Sequence, residues 1–296
     1  DFCLSRGLGD VYKRQTSLDA LRDFDVVLFA SGEDQSEAFG RALAQNSQIV
    51  IDNSSAFRMD ADVPLIVPEV NAAAVRPEHR IFPVANCTAI VLVMALNPIK
   101  KAAGLRNVNV ATYQAVSGAG RAGLEELAEG ENAWKDDRPA RPPSAFVAPI
   151  FRNVVPQIGS LDPLGDTGEE KKVVAETRKI LELPKVRIAA MTVRVPVRYA
   201  HSEAVFVKTD EETSVDELAR AFEKAPGLVY HREGIVTPLE VEGQDLVHVA
   251  RLRSVEGSRR HFQLWVVGDQ VRKGAATNAV QILQLLHDRG MVGVRV

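Results

Sequence analysis

DVVLFASGEDQSEAFGRALAQNSQIVID, residues 25–52, holds the fold decision. Residues 25–30 are an apolar run of strand length, Ser31-Gly32 is a turn pair, residues 35–45 read as helix and residues 48–52 as strand again. Strand, glycine-containing turn, helix, strand makes a βαβ unit. Its two strands run parallel and its crossover is right-handed, because no hairpin can join parallel neighbours. Parallel sheets are covered by helices, so residues 25–30 are predicted to be a buried strand. Ligands of such sheets lie beyond the carboxyl ends of the strands, which points to Ser31-Gly32 and to Asn53-Ser54-Ser55.

Further along, residues 81–98, IFPVANCTAIVLVMALNP, set Cys87 between a short extended run and an apolar segment, 89–96, of helical length that ends at Asn97-Pro98. Asn86-Cys87-Thr88 supply capping side chains, so Cys87 is predicted at or near a helix N-terminus. Unpaired N–H groups and the positive end of the dipole favour thiolate there, the form that attacks carbonyl carbon. A buried packing cysteine fits the same stretch, and only partner residues can separate the two.

The rest of the chain supplies such partners. Residues 108–114 (VNVATYQ) alternate like a strand and enter a loop, Ser117 to Gly120, with a helix to about residue 126. Residues 138–149 are a proline-rich surface connection, 169–181 a helix, and 187–197 and 202–207 strands. Ser214 with Glu217 three residues later forms a capping box, residues 246–267 give two more strands, and residues 272–287 a final amphipathic helix. Strands that cluster after residue 185 predict an α+β second domain with an antiparallel or mixed sheet. Arg194 and His201, seven apart, would face opposite ways on one unbroken strand, but Pro196 and Tyr199-Ala200 offer a break. Residues 16–21 read as a short helix; residues 1–15 show no period and read as a leader foreign to the fold.

Composition narrows the function class. Across 296 residues, 36 Lys and Arg are interspersed with 39 Asp and Glu for a net charge of −3, so no basic stripe points to nucleic acid or to a membrane surface. The two cysteines, Cys3 and Cys87, make no disulfide framework and no metal-ligand spacing, which fits a reducing cytosol. No apolar run is long enough to span a bilayer. Small-molecule chemistry in a soluble, intracellular protein is the expectation.

Several motifs together resemble the aspartate-β-semialdehyde dehydrogenase family. They are DNSSAFRMDADVPLIVPEVN (52–71), NCTAI (86–90), ATYQAVSGAG (111–120), EEKKVVAETRKIL (169–181), RVPVRYAHSEAV (194–205) and LWVVGDQVRKGAATNAVQI (264–282). The resemblance implies an α/β chain: a partial Rossmann-type parallel-sheet nucleotide-binding domain, residues 16–87 with 278–296, and an α+β catalytic and dimerisation domain, residues 88–277. It implies NADP as cofactor and reversible conversion of aspartate semialdehyde and phosphate to aspartyl phosphate, toward lysine, threonine and methionine. By the same resemblance Cys87 is the nucleophile, His201 the acid/base and Gln114 an orienting group. Arg194 would hold the substrate α-carboxylate, Glu170 its α-ammonium, and Arg58 and Lys172 phosphate. Ser117, Gly118 and Asn278 would flank the nicotinamide, with Ser31 and Gly32 on the cofactor's phosphate side. A homodimer or tetramer in the cytoplasm is implied too. Two departures stand out: Ala85 replaces the family's usual proline before Asn86-Cys87, and no GxGxxG-type turn joins a first strand to a helix. The second reads as a lost natural start and predicts weak cofactor binding. A related acyl-phosphate reductase and a catalytically silent dimerising fragment remain the other readings.

Overall fold

A computed structural model describes residues 17–292 of the chain. The leader reading of residues 1–15, with Cys3, lies outside the described residues. After a short helix α1 (Leu18–Leu21), β1 (Val26–Phe29) turns at Gly32 into α2 (Glu33–Gln45) and returns as β2 (Ile49–Asp52). The two strands pair parallel, Val26 beside Ile49, as the βαβ reading requires. The chain then passes α3 (Pro68–Asn71) and adds β3 (Ile81–Pro83), also parallel, giving the order β1-β2-β3. Two-sided burial holds for β2 but not for β1, which buries Val27 and Phe29 and leaves Leu28 half exposed.

Helix α4 (Cys87–Ala103) is buried from Thr88 through Ile99, the all-round burial of a core helix. It does not stop at Asn97-Pro98. Pro98 lies inside it, and the helix ends only where Gly104 adopts φ 68°. A proline inside a helix costs about 3 kcal/mol. Burying Ile99 and Ala103 beyond it offsets a loss of that size at about 25 cal/mol per Å².

The second sheet is built from β4 (Asn107–Gln114), β5 (Arg187–Arg194), β6 (His201–Lys208), β7 (Leu228–His231), β8 (Val247–Ser254) and β9 (His261–Gly268). Its helices are α5 (Gly120–Lys135), α6 (Gly168–Ile180), α7 (Val215–Glu223) and α8 (Pro238–Val241), and α9 (Thr277–Asp288) closes the described chain. Strand order is β5-β4-β6-β9-β8-β7, with β4/β5 and β7/β8 parallel and the other pairs antiparallel, the predicted mixed sheet. Helix α5 runs well past residue 126 because Leu127 and Ala133 stay buried, Leu127 against Ile150 and Val155. Strand β5 stops at Arg194, where the chain turns and Val197 N–H bonds Val195 O. The capping box of Ser214 and Glu217 starts α7 as read.

One buried apolar cluster runs from Ile49 and Ile51 through α4 to Val205 and Leu264, so α4 is the shared core of both sheets. The opposite face of the six-stranded sheet is different: Tyr113, Met191 and Phe206 share it and are 40–59 % exposed. Helix α9 carries the chain back to pack on β2 and α3.

Candidate active site

Cys87 is the first residue of α4, whose N-cap Asn86 accepts from Ala89 N–H at 3.1 Å through Oδ1. Its Sγ lies 3.7 Å from His201 Nε2. His201 opens β6 and is fully buried, its Nδ1 accepting from Ala115 N–H at 3.1 Å. The spacing puzzle of Arg194 and His201 resolves because they sit on separate strands either side of β4. Gln114 pairs with Arg194 in the parallel register, and β6 begins beside Tyr113 after a turn in which Ala200 takes φ 64°. Three side chains thus reach one end of the sheet. Arg194 Nη1 donates to Ala115 O at 2.6 Å, and its guanidinium lies 5.6 Å over the Phe146 ring. Glycine is required nearby: a Cβ on Gly118 would come within 2.7 Å of Arg194 Nη1 and 3.2 Å of the His201 ring, and one on Gly274 within 2.9 Å of Cys87 Cβ.

The first turn of α6 corrects one residue. Glu170 is the N3 residue of a capping box; its Oε2 accepts from Thr167 N–H at 2.7 Å and its Oε1 from Thr192 N–H at 2.9 Å. Both oxygens are engaged by backbone N–H groups that tie α6 to β5, which gives Glu170 a structural role. Glu169 faces the site instead. Its Oε1 accepts from Gln114 Nε2 and from Asn86 Nδ2, each at 3.0 Å. The sequence carried the clue, since Thr167 three residues before Glu170 is a capping-box signature. Gln114 is buried and also takes the Thr112 hydroxyl at 3.2 Å, so it acts on the site through Glu169. Glu176, two turns further, was not foreseen: one oxygen accepts from Asn86 N–H at 2.5 Å and the other from Arg58 Nη1 at 3.1 Å.

Beside these residues lies a cavity of about 510 Å³ that Cys87, Arg58, Lys172, Ser117, Gly118 and Gly32 all line; Arg194 lines a neighbouring cavity with Phe146 and Ala119. Ser31 stands one residue outside it, exposed. Asn278 does not face the cavity. It is fully buried, its Oδ1 accepting from Lys273 Nζ at 3.1 Å and its Nδ2 donating to Ile66 O at 3.1 Å. Lys273 also bonds Glu69 at 2.7 Å and Gln281 at 2.6 Å, which anchors the π turn Arg272–Ala276 that carries Gly274 against Cys87. Gln270 Nε2 donates to Ser117 Oγ, which itself donates to Arg198 O. On the opposite wall, Gly32 caps the 13-residue helix α2 at φ 107°, a conformation open to glycine, with nothing within 4 Å of where its Cβ would be. This helix N-terminus, continuous with the cavity at Cys87, offers backbone amides to a phosphate, while Glu33 and Asp34 in its first turn bring negative charge to the same end.

Electrostatics overturn the thiolate expectation. Burial first, then the Glu169 carboxylate, push the Cys87 thiol up to about 12, against the Thr88 hydrogen bond and the Arg194 and Arg58 charges. Desolvation outweighs the helix terminus in the ligand-free site. Burial, with Arg194 second, holds His201 well below the usual imidazole value, so the ring is neutral. A thiol that lines the cavity, with a neutral imidazole, a fixed guanidinium and a carboxylate grouped behind it, forms a site for acyl transfer through sulfur.

Residues 96–273 match the family model described as semialdehyde dehydrogenase, dimerisation domain, and residues 7–77 the one described as semialdehyde dehydrogenase, NAD binding domain. The chain is 39 % identical over 280 residues to the aspartate-semialdehyde dehydrogenase of Aquifex aeolicus, covering 93 % of this chain and 82 % of that one. It is 41 % identical over 266 residues to aspartate-semialdehyde dehydrogenase 2 of Vibrio cholerae, covering 88 % and 78 %. The crystal structure of aspartate semialdehyde dehydrogenase II from Vibrio cholerae superposes with a TM-score of 0.86 at 40 % identity, over 89 % of this chain and 79 % of that one.

Proposed function

Because the chain belongs to the aspartate-semialdehyde dehydrogenase family, an oxidoreductase family with an NAD(P)-binding domain, we propose that it interconverts L-aspartate 4-semialdehyde and 4-aspartyl phosphate through a thioester on Cys87. The observation that carries this reading is the 3.7 Å approach of His201 Nε2 to the Sγ of Cys87, which lines the cavity.

Cys87 attacks the carbonyl carbon, and the oxygen that gains charge is met by His201. The nicotinamide, when bound, supplies or accepts the hydride. Arg194 receives the α-carboxylate as a planar fork, oriented by Ala115 O and the Phe146 face. Glu169 takes the α-ammonium in place of Glu170. Arg58 and Lys172 bind phosphate from the far wall, where Glu176 fixes the Arg58 guanidinium. Gly32 and the backbone amides of α2 receive the cofactor's phosphate side, Ser117 and Gly118 its nicotinamide side, and NADP is the preferred form. The domain division is that of the two sheets: residues 16–87 with 278–296 for the nucleotide, 88–277 for catalysis and pairing. The exposed apolar sheet face of Tyr113, Met191 and Phe206 pairs two copies. Among the described residues no helix is long and apolar enough to cross a membrane, in keeping with a place in the cytoplasm.

The test is phosphate-dependent reduction of NADP by the purified chain with aspartate semialdehyde, at NADP concentrations raised until the rate saturates. Activity should vanish without phosphate and fall strongly with NAD. Turnover that ignores phosphate would sink the acyl-phosphate reading, and light scattering from a monomer would sink the dimer.

A further inference from the structure

We propose that the main-chain N–H of Ala115 fixes resting His201 as the tautomer protonated on Nε2, so that His201 meets Cys87 and the incoming carbonyl through an N–H. The proposal deepens the reading above and takes its catalytic meaning from it.

The argument is one of donors and acceptors. A backbone N–H can only donate, so the 3.1 Å contact from Ala115 N requires a lone pair on His201 Nδ1. A neutral imidazole has one N–H, which must then be on Nε2, the nitrogen 3.7 Å from Cys87 Sγ. Charging the ring would set a second N–H head-on against that of Ala115. It would also place a cation in a fully buried position near Arg194, whose Nη1, like the ring, would crowd a Cβ placed on Gly118. Residue 115 itself has little freedom. It is fully buried, follows β4 directly with φ −61° and ψ 148°, and is succeeded by a peptide pinned by Val116 N–H on Val197 O at 2.8 Å. Its carbonyl holds Arg194 Nη1 at 2.6 Å. One residue's main chain therefore orients both the imidazole and the substrate-binding guanidinium, and Ala115 is a positioning residue acting through its N–H on one and its C=O on the other.

The consequence is a division of roles. With Nε2 protonated at rest, His201 gives that proton to the substrate oxygen as sulfur attacks carbon and takes the Cys87 proton in its place, so S–H and C=O become S–C and O–H and the ring is neutral before and after. What it offers is a fixed N–H, first to the sulfur and then to the oxygen that develops charge when sulfur attacks carbon. No reorganisation of the ring is needed between the two.

The tautomer can be read without turnover. The full chain is labelled with ring-¹⁵N histidine, and the His201 signals are assigned by their loss in His201→Asn. Nδ1 should show the shift of an unprotonated nitrogen and Nε2 that of an N–H nitrogen, unchanged across neutral pH. A second arm replaces the Ala115 amide by an ester, using lactic acid at position 115, which deletes the N–H and little else. The tautomer ratio should then relax by roughly fivefold or more, the worth of one hydrogen bond, with kcat falling and the substrate KM nearly unchanged. A wild-type spectrum with Nδ1–H, an imidazolium at neutral pH, or an ester variant with an unaltered ratio would each overturn the proposal. If the ester variant does not fold, the wild-type spectrum decides alone. A chain with the expected tautomer but no phosphate-dependent activity would refute the functional reading and leave this one standing.

Discussion

The three-stranded sheet and the six-stranded sheet flank the same helix, α4, and reach the cavity by different means. The strands of the smaller sheet are three or four residues long, and what it offers is loop backbone, Gly32 after β1 and residues 53–55 after β2. In the larger sheet β4, β5 and β6 are eight residues each, and they deliver side chains from strand ends: Gln114, Arg194 and His201. Backbone amides suit a ligand recognised by its phosphates, while bond-making needs side chains held on rigid elements. Substitutions at the end of the larger sheet should therefore change chemistry, and substitutions in the loops of the smaller one cofactor affinity.

Cys87, where α4 meets both sheets, should show the largest effect. Cys87→Ala should lower turnover by about 10³-fold or more with cofactor binding and melting temperature intact. Near-normal turnover would break the comparison outright. The raised thiol adds a sharper check, since in the substrate-free protein iodoacetamide should alkylate Cys87 more slowly than free cysteine near neutral pH, with a rate that climbs as pH rises toward about 12.

Next comes Arg194→Lys, which keeps the charge but loses the fork held between Ala115 O and Phe146. A cost of about 2–3 kcal/mol in kcat/KM is expected, mostly through KM for the aldehyde. An effect on cofactor affinity instead would blur the division between the sheets.

A matched pair on α6 follows. Glu169→Gln should lower kcat/KM by roughly tenfold to a hundredfold and leave the melting temperature alone, because its partners Gln114 and Asn86 are site groups. Glu170→Gln should do the reverse: activity per folded molecule is kept, and stability falls by about 1–2 kcal/mol as the capping box and the Thr192 bond weaken. If the two behave alike, the assignment of roles along this turn is wrong.

What the sequence showed and hid follows a physical line. Patterns of burial were legible: the βαβ unit, α4, the capping box at Ser214 and the mixed character of the second sheet all follow from apolar spacing and turn chemistry. Which of two adjacent glutamates faces the cavity was not, because that depends on the rotation of α6 about Thr167. Nor was the fate of Asn278, whose amide is consumed by Ile66 O and Lys273, a residue far away in the chain and one close by. Cys87 was placed at its helix start correctly, yet its protonation depends on how deeply the other elements bury it. Strand β7, four half-buried residues, carries no period to read.

The smallest effect on activity should come from a residue two positions beyond His201 on the same face of β6. Glu203 is fully buried, and neither carboxylate oxygen has a hydrogen-bond partner among the described residues. Burial raises its pKa well above the ordinary carboxylate value, so it is held as the neutral acid. In the unfolded chain it ionises near pH ~4.3, and so between that value and its folded pKa unfolding releases a proton. A raised folded pKa contributes stability that is complete below the unfolded value and is lost as pH rises, with a slope of at most about 1.4 kcal/mol per pH unit. Glu203→Gln deletes that slope while keeping shape and the unpaired polar character of the side chain. Denaturant titrations should therefore give equal stabilities for the two proteins in acid and a growing advantage for Glu203→Gln toward neutral pH, while turnover stays within about twofold because Glu203 touches no reacting group. Parallel stability curves across this range would mean that Glu203 is ionised and partnered in the folded protein, and a large loss of turnover would mean that the catalytic end of the larger sheet reaches deeper into its core than the strand ends.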